Sequence, residues 1–404
     1  MTFSVVQPVV KGWCPGLHMP MQAADGWLVR VRPLFGRVSA QQALLLADEA
    51  ERHGNGVITL TNRGSLQLRG FTYEQALLFP RRMVEAGLGL PDPGAEKRRA
   101  LQVSPLAGLD KDCAVQTLSV AHNLSEQLMS SENLSALPDK FGFVVDGGGL
   151  CPAGALKGDI SLQAVAGSDT LWQVVCGVAR SEALDASGVV SLALDLARRF
   201  VEQADKTRPL RQPETGCLLF EACNQPYERV IIPPQKNPLL TGSLVPGVYG
   251  LGVALGSLTP EILRDCAAVA SQGDGYIRLT PWHSLILVGQ NAMPQITGLL
   301  TEHDEARLRV YACSGAKGCA QAAHDTPAQA LALSAFLPSG ASLHVSGCRK
   351  GCAHPAPADV TVVATAGEYH LARNSRAGDA PVCRVTDFEA VCAFVRSDMG
   401  EGGG

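Results

Sequence analysis

At 404 residues the chain is too long for a single hydrophobic core, so two or three domains are expected, each with a substantial interior. Its 38 acidic and 34 basic residues leave a net charge of −4, and no lysine- or arginine-rich run forms a patch for nucleic acid or a membrane surface. No apolar stretch nears the ~20 residues that cross a bilayer, and the N-terminus lacks the basic-then-apolar order of a secretory signal, so a cytoplasmic protein with no nucleic-acid or membrane partner is expected.

The first elements form a unit of strand, helix, strand, turn and strand. An apolar run at residues 27–31 reads as a strand, Ser39 caps a helix over 40–52, and residues 53–68 (HGNGVITLTNRGSLQL) read as two strands around a turn. Alternation puts Ser65, Gln67 and Arg69 on one face and Leu66 and Leu68 on the other, and Leu28, Arg30 and Arg32 likewise share a face. The Pro91-Asp92-Pro93-Gly94 turn closes this half, residues 1–94. Residues 95–234 are expected to form a central α/β domain ending near Ile231-Ile232-Pro233-Pro234.

The first pattern then returns over residues 235–302. An apolar run at 248–255, a Thr259 cap and a helix over 260–270 precede residues 272–287 (QGDGYIRLTPWHSLIL), which match 53–68 at a constant offset of 219, Thr280 standing against Thr61. The corresponding face here carries Ser284, Ile286 and Val288 and no charge. The first half is therefore expected to bind the ligand, a solvated sheet face being the alternative. Residues 303–404 make the last domain and end in a flexible tail at 400–404.

That domain holds Cys313, Cys319, Cys348 and Cys352, spaced C-x5-C and C-x3-C with glycine beside each pair, where a loop must turn tightly around a ligand. Soft thiolates in fours suit a [4Fe–4S] cluster. Structural zinc also takes four thiolates, but its pairs are commonly about two to four residues apart and the first pair here has five; space-filling cysteines are the remaining alternative. Thirteen cysteines, an odd number, fit metal ligation in a reducing compartment better than a disulfide framework. Cys14 and Cys151 each precede proline in a glycine-containing loop and either face the ligand or pack, packing being favoured. Cys113, Cys176, Cys217, Cys223, Cys266, Cys383 and Cys392 read as packing. His344 and His354 flank the second pair and read as hydrogen-bonding neighbours of the cluster before they read as iron ligands.

Three motifs in this order resemble the sulfite and nitrite reductase family: T-x-R-x-x-x-Q at Thr61, Arg63 and Gln67, L-P-x-K-F at Leu137-Pro138-Asp139-Lys140-Phe141, and the four cysteines. The resemblance spans nearly the whole chain. It implies an α+β fold of pseudo-symmetric ferredoxin-like half-repeats plus two α/β domains, with a reduced tetrapyrrole between them beside the cluster. The chain is similar above all to the branch that acts in cobalamin biosynthesis, through Lys11-Gly12-Trp13-Cys14-Pro15-Gly16, residues 53–70 and 140–149, and Leu279-Thr280-Pro281-Trp282. That branch implies a monooxygenase that converts precorrin-3A to precorrin-3B by meso-carbon hydroxylation and lactone closure. O2 is its oxidant and a mononuclear non-haem iron is associated with it. The sequence does not identify its electron donor, NADH acting through a reductase being one option.

Reductases carry a second lysine two positions after the first, where this chain has Gly142, so half of an anion clamp is missing. A macrocycle with carboxylate arms requires cations around it. Arg30, Arg32, Arg63, Arg69 and Lys140, with Gln67 as an amide donor, are the expected substrate-binding residues, and Lys140 and Arg63 the candidates for catalysis. The alternatives are a sirohaem-dependent sulfite or nitrite reductase and a non-catalytic electron-transfer or tetrapyrrole-carrier protein.

Overall fold

The computed structural model describes residues 15–151, 154–203, 213–231, 237–238 and 240–397; Cys14, the expected boundary at 232–234 and the tail at 400–404 lie outside the described residues. The first half runs β1 (Met21–Ala23), β2 (Gly26–Val31), β3 (Arg37–Ser39), α1 (Ala40–Arg52), β4 (Ile58–Leu60), β5 (Leu66–Phe71), α2 (Tyr73–Glu85) and α3 (Pro93–Arg98). The central domain follows with β6 (Leu101–Val103), α4 (Thr117–Ser130), β7 (Phe143–Asp146), β8 (Ile160–Ala164), β9 (Trp172–Cys176), β10 (Ala179–Ser181), α5 (Ala186–Glu202), α6 (Pro213–Ala222) and β11 (Tyr227–Arg229). The second half has β12 (Gly242–Val245), β13 (Val248–Gly252), β14 (Ser257–Leu258), α7 (Pro260–Ala270), β15 (Tyr276–Leu279) and β16 (Ser284–Val288). The last domain has β17 (Val310–Ala312), α8 (Gly315–Gly318), α9 (Thr326–Ser334), β18 (Leu343–Ser346), β19 (Ala358–Ala364), β20 (Tyr369–Ser375), β21 (Cys383–Val385) and α10 (Phe388–Arg396).

Helix α1 starts where Ser39 and Gln42 cap each other, the hydroxyl accepting the Gln42 N–H and the Gln42 amide oxygen accepting the Ser39 N–H. Helix α7 starts the same way in the repeat: Thr259 accepts the Ile262 N–H, and Pro260 fills the first turn, where no N–H is needed. The halves then exchange strands. One sheet runs β1-β2-β5-β4-β14 and the other β12-β13-β16-β15-β3, so each borrows a strand from the opposite half. A tight turn precedes each borrowed strand, with Phe35 and Leu255 at φ of 53° and 56° and Gly36 and Gly256 at 69° and 65°. Both glycines lie against the opposite half, where an added Cβ would come within 2.9 Å of the Leu279 carbonyl oxygen and 2.7 Å of the Leu60 carbonyl oxygen. Val29, Ile58, Leu66 and Leu68 share one core with Leu251, Leu263, Ile277 and Leu285. At about 1.5–3 kcal/mol for each fully buried side chain, that common core makes the two halves one unit despite the domain inserted between them.

The central sheet, β11-β10-β9-β8-β7-β6, and the last sheet, β17-β18-β19-β20-β21, resemble each other in turn. In each, three parallel strands (β6, β7, β8 and β17, β18, β19) are followed by an antiparallel one. The chain is thus two units, each a ferredoxin-like half followed by an α/β domain. This is an α+β fold of four sheets and ten helices among the described residues, and no described helix is long and apolar enough to cross a membrane.

Candidate active site

Strands β17 and β18 are parallel neighbours, so the loops leaving their carboxyl ends stand side by side. One carries Cys313 and Cys319, the other Cys348 and Cys352. The Gly347 N–H donates to Cys313 Sγ (3.2 Å), and Thr326 Oγ1 lies 3.2 Å from the same sulfur while donating to the Cys313 carbonyl. Packing explains the small residues: a Cβ on Gly347 would sit 2.4 Å from Ala322 Cβ, and one on Gly318 would sit 2.6 Å from Arg69 Nη2.

The thiols feel one another. Burial raises the pKa of Cys348, and Cys313 and Cys319 raise it further. Cys352 is open to solvent on one side and packed on the other; it is raised by that burial and then by Cys348, Cys313 and Cys319. Among the described residues no three of His, Cys, Asp and Glu converge on one ion position. Four soft thiolates within electrostatic reach of one another on adjacent loops are a donor set that suits an iron–sulfur cluster and a zinc ion alike. The same geometry leaves the expected mononuclear iron without a ligand set among the described residues.

The first sheet turns a polar row away from the core. Arg30, Gln67, Thr59 and Ser257 lie in register across β2, β5, β4 and β14, each at least partly open to solvent. Arg30 Nη2 donates to Gln67 Oε1 (3.0 Å). Beyond the strand ends lies an open cleft lined by Arg32, Phe35, Arg63, Gly142, Leu156 and Pro281. Arg63 Nη2 donates to the Lys140 carbonyl (2.8 Å), which seats the guanidinium at the cleft while the Lys140 residue itself is exposed. A Cβ on Gly142 would lie 3.5 Å from Arg63 Nη1, so glycine leaves that side of the guanidinium clear.

Arg69 departs from the expectation that it faces the ligand. Trp27 pairs with Phe71 and Val29 with Leu68, so Arg69 and Gly70 of β5 stand against Leu28 alone; Gly70, at φ 81°, supplies the bulge. The bulge takes Arg69 out of the Gln67 row and buries it. Its Nε and Nη2 donate to the two oxygens of Asp25 (2.8 Å each), and Nη2 also donates to the Gly318 carbonyl (2.8 Å). Simple alternation misses this; a glycine directly after Arg69 inside a strand was the available signal.

The equivalent row on the second sheet, Gly250, Ile286, Arg278 and Arg37, is buried at its first three positions and partly open only at Arg37. Leu106 and Cys151 of the central domain, with Leu240, pack against Val248 and Ile286, and buried Arg278 donates to the Ala107 carbonyl (3.4 Å). Cys151 therefore packs, its thiol pushed up to about 12 by burial first and then by Asp146, Cys113 and Asp110.

Below the second cysteine loop, β18 places His344, whose Cε1 would lie 3.4 Å from a Cβ on Gly351. It is fully buried, neither ring nitrogen has a hydrogen-bond partner, and burial, helped by His354, lowers its pKa to about 4. His354 meets it edge-on at 5.8 Å and stacks on Tyr311 at 4.1 Å, and Tyr311 is 6.0 Å from His283. The two histidines stand beside the cysteines as members of a ring stack that runs to the Thr280–Ser284 turn.

Comparison with known proteins matches these features. The family model for the nitrite/sulfite reductase ferredoxin-like half domain fits residues 19–77 and 247–292, the stretches that exchange strands. A precorrin-3B synthase from a Sinorhizobium species is 30% identical, the match covering 92% of this chain and 84% of the relative. A ferredoxin–nitrite reductase from Synechococcus elongatus is 26% identical over 83% of this chain and 75% of its own. Among solved structures, the Mycobacterium tuberculosis NirA protein superposes with a TM-score of 0.69 at 15% identity, covering 93% of this chain and 82% of that one, a likeness of fold.

Proposed function

The chain belongs to the nitrite and sulfite reductase family, and within it we propose an oxygen-dependent monooxygenase of cobalamin biosynthesis that turns precorrin-3A into precorrin-3B, the product named by its Sinorhizobium relative. One observation carries this reading. A polar row, Arg30, Gln67, Thr59 and Ser257, stays at least partly open on a sheet whose central strand β5 reaches the Cys313–Cys319 loop through Arg69, while most of its twin on the second sheet is covered by the protein's own side chains. Such a face suits a flat macrocycle edged with carboxylates.

Arg32 and Arg63 line the cleft and would hold acetate or propionate arms, each charge-assisted bond contributing about 1.5–3 kcal/mol. Arg30 would hold another, with the Gln67 amide beside it. Cys313, Cys319, Cys348 and Cys352 would hold a [4Fe–4S] cluster, which supplies electrons one at a time. The reaction consumes two electrons from an outside donor, for which NADH acting through a reductase is our candidate, and two protons. One atom of O2 enters the meso carbon, the other leaves as water, and a carboxylate arm closes the lactone. Arg63, anchored through the Lys140 carbonyl, would steady negative charge on that arm, and the exposed Lys140 ammonium is the candidate proton donor. Gly142 withholds the second cation that a small oxyanion would need. The protein would work in the cytoplasm, with no membrane or nucleic-acid partner.

The nitrite reductase relatives favour a second reading, a sirohaem-dependent reductase using the same face. Anaerobically purified protein, reduced and then given precorrin-3A and O2, should yield a product one oxygen atom heavier and should lack sirohaem absorption bands. Strong sirohaem bands with unchanged substrate would move the assignment to the reductase. Unchanged substrate without such bands, and with the cluster intact, would move it to a carrier.

A further inference from the structure

We propose that Asp25 and Arg69 form a strut that seats the Cys313–Cys319 loop against the first sheet and sets the reduction potential of the cluster there; this rests on the four-cysteine reading above. Arg69 and Gly318 are 249 positions apart in sequence, so their bond joins the first half to the last domain. The ion pair is sheltered, with side chains 9% and 14% exposed. Gly318 immediately precedes Cys319, and with Arg69 Nη2 only 2.6 Å from the place of a Cβ, no larger residue fits there without displacing the guanidinium. Asp25 is held in turn by Asn55 Nδ2 at 3.0 Å.

The chemistry selects arginine. One fork meets both carboxylate oxygens while a further N–H of the same nitrogen reaches the loop carbonyl, a set that the single ammonium of lysine does not reproduce. A sheltered ion pair of this kind contributes little net stability but fixes geometry. It also fixes local charge. The pair is neutral, and a cluster gains negative charge on reduction, so deleting either partner leaves a sheltered charge that biases the couple. Arg69 is a positioning residue in this account.

The test is an EPR-monitored redox titration of the full-length holoprotein, with iron and labile sulfide measured on every sample. The variants are Arg69→Met and Asp25→Asn, and the control is Arg82→Met, which breaks the partly sheltered Arg82–Glu49 pair between α2 and α1. The strut predicts that Arg69→Met shifts the midpoint potential down or loses the cluster, that Asp25→Asn shifts it up, and that Arg82→Met behaves as wild type. Equal behaviour of Arg69→Met and Arg82→Met, whether both lose the cluster or both keep wild-type spectra, would overturn the strut. So would shifts of the same sign in Arg69→Met and Asp25→Asn. A wild-type protein without labile sulfide would overturn the cluster reading itself, and the sulfide assay separates that outcome from the others.

Discussion

Arg63 is fixed by a backbone carbonyl rather than by a carboxylate, and this leaves its charge for a ligand. Replacing it with alanine should weaken precorrin-3A binding by roughly 10- to 150-fold, the equivalent of about 1.5–3 kcal/mol, with iron and sulfide content unchanged. Calorimetric titration checks this, and an unaltered Kd would remove Arg63 from the site. His344 predicts a pH effect. Its imidazole takes up a proton near 6.5 in the unfolded chain but only near 4 when folded, so the unfolded state binds more protons in that window and stability falls as pH drops through it. His344→Leu should flatten that part of the stability profile in chemical denaturation while costing no more than about 1 kcal/mol near neutrality, because no hydrogen bond is given up. An unchanged slope would contradict it. The two cysteine pairs stand out in the sequence because each spacing is local, whereas the Asp25–Arg69 pair does not: a bulge reassigns the arginine, and its partners lie 44 and 249 positions away.

At the scale of elements, the strand exchange depends on the turns before β3 and β14. Gly36 has φ 69° and lies against the Leu279 carbonyl, so Gly36→Ala adds a backbone clash to left-handed strain and should destabilise the protein by about 1–3 kcal/mol. Gly56 has φ 77° but nothing within 4 Å of an added Cβ, so Gly56→Ala should show the strain alone, at about 1 kcal/mol. Denaturation midpoints compare the two, and equal losses would argue against the close approach at Gly36. The repeat at offset 219 made both halves readable, including the Ser39 and Thr259 caps that start α1 and α7. The exchange itself was not readable, since strands of three and two residues are too short to carry a period.

For the whole molecule, two similar units meet about a pseudo-symmetric core, yet their sheets have different fates. Leu106, Cys151 and Leu240 pack against the second face, whereas the first keeps a polar row at least partly open. A net charge of −4 coexists with a local group of partly open arginines on the first half, Arg30, Arg32 and Arg63. The likeness between the central and last sheets lies in topology, and side chains that merely fill space leave no motif, so neither was legible beforehand. The account stands or falls on what the cysteines hold. Iron and acid-labile sulfide should be measured on anaerobically purified protein, alongside EPR of the reduced sample. The account predicts about four of each per chain and a cluster signal that Cys348→Ser abolishes; one zinc per chain with no labile sulfide would contradict it.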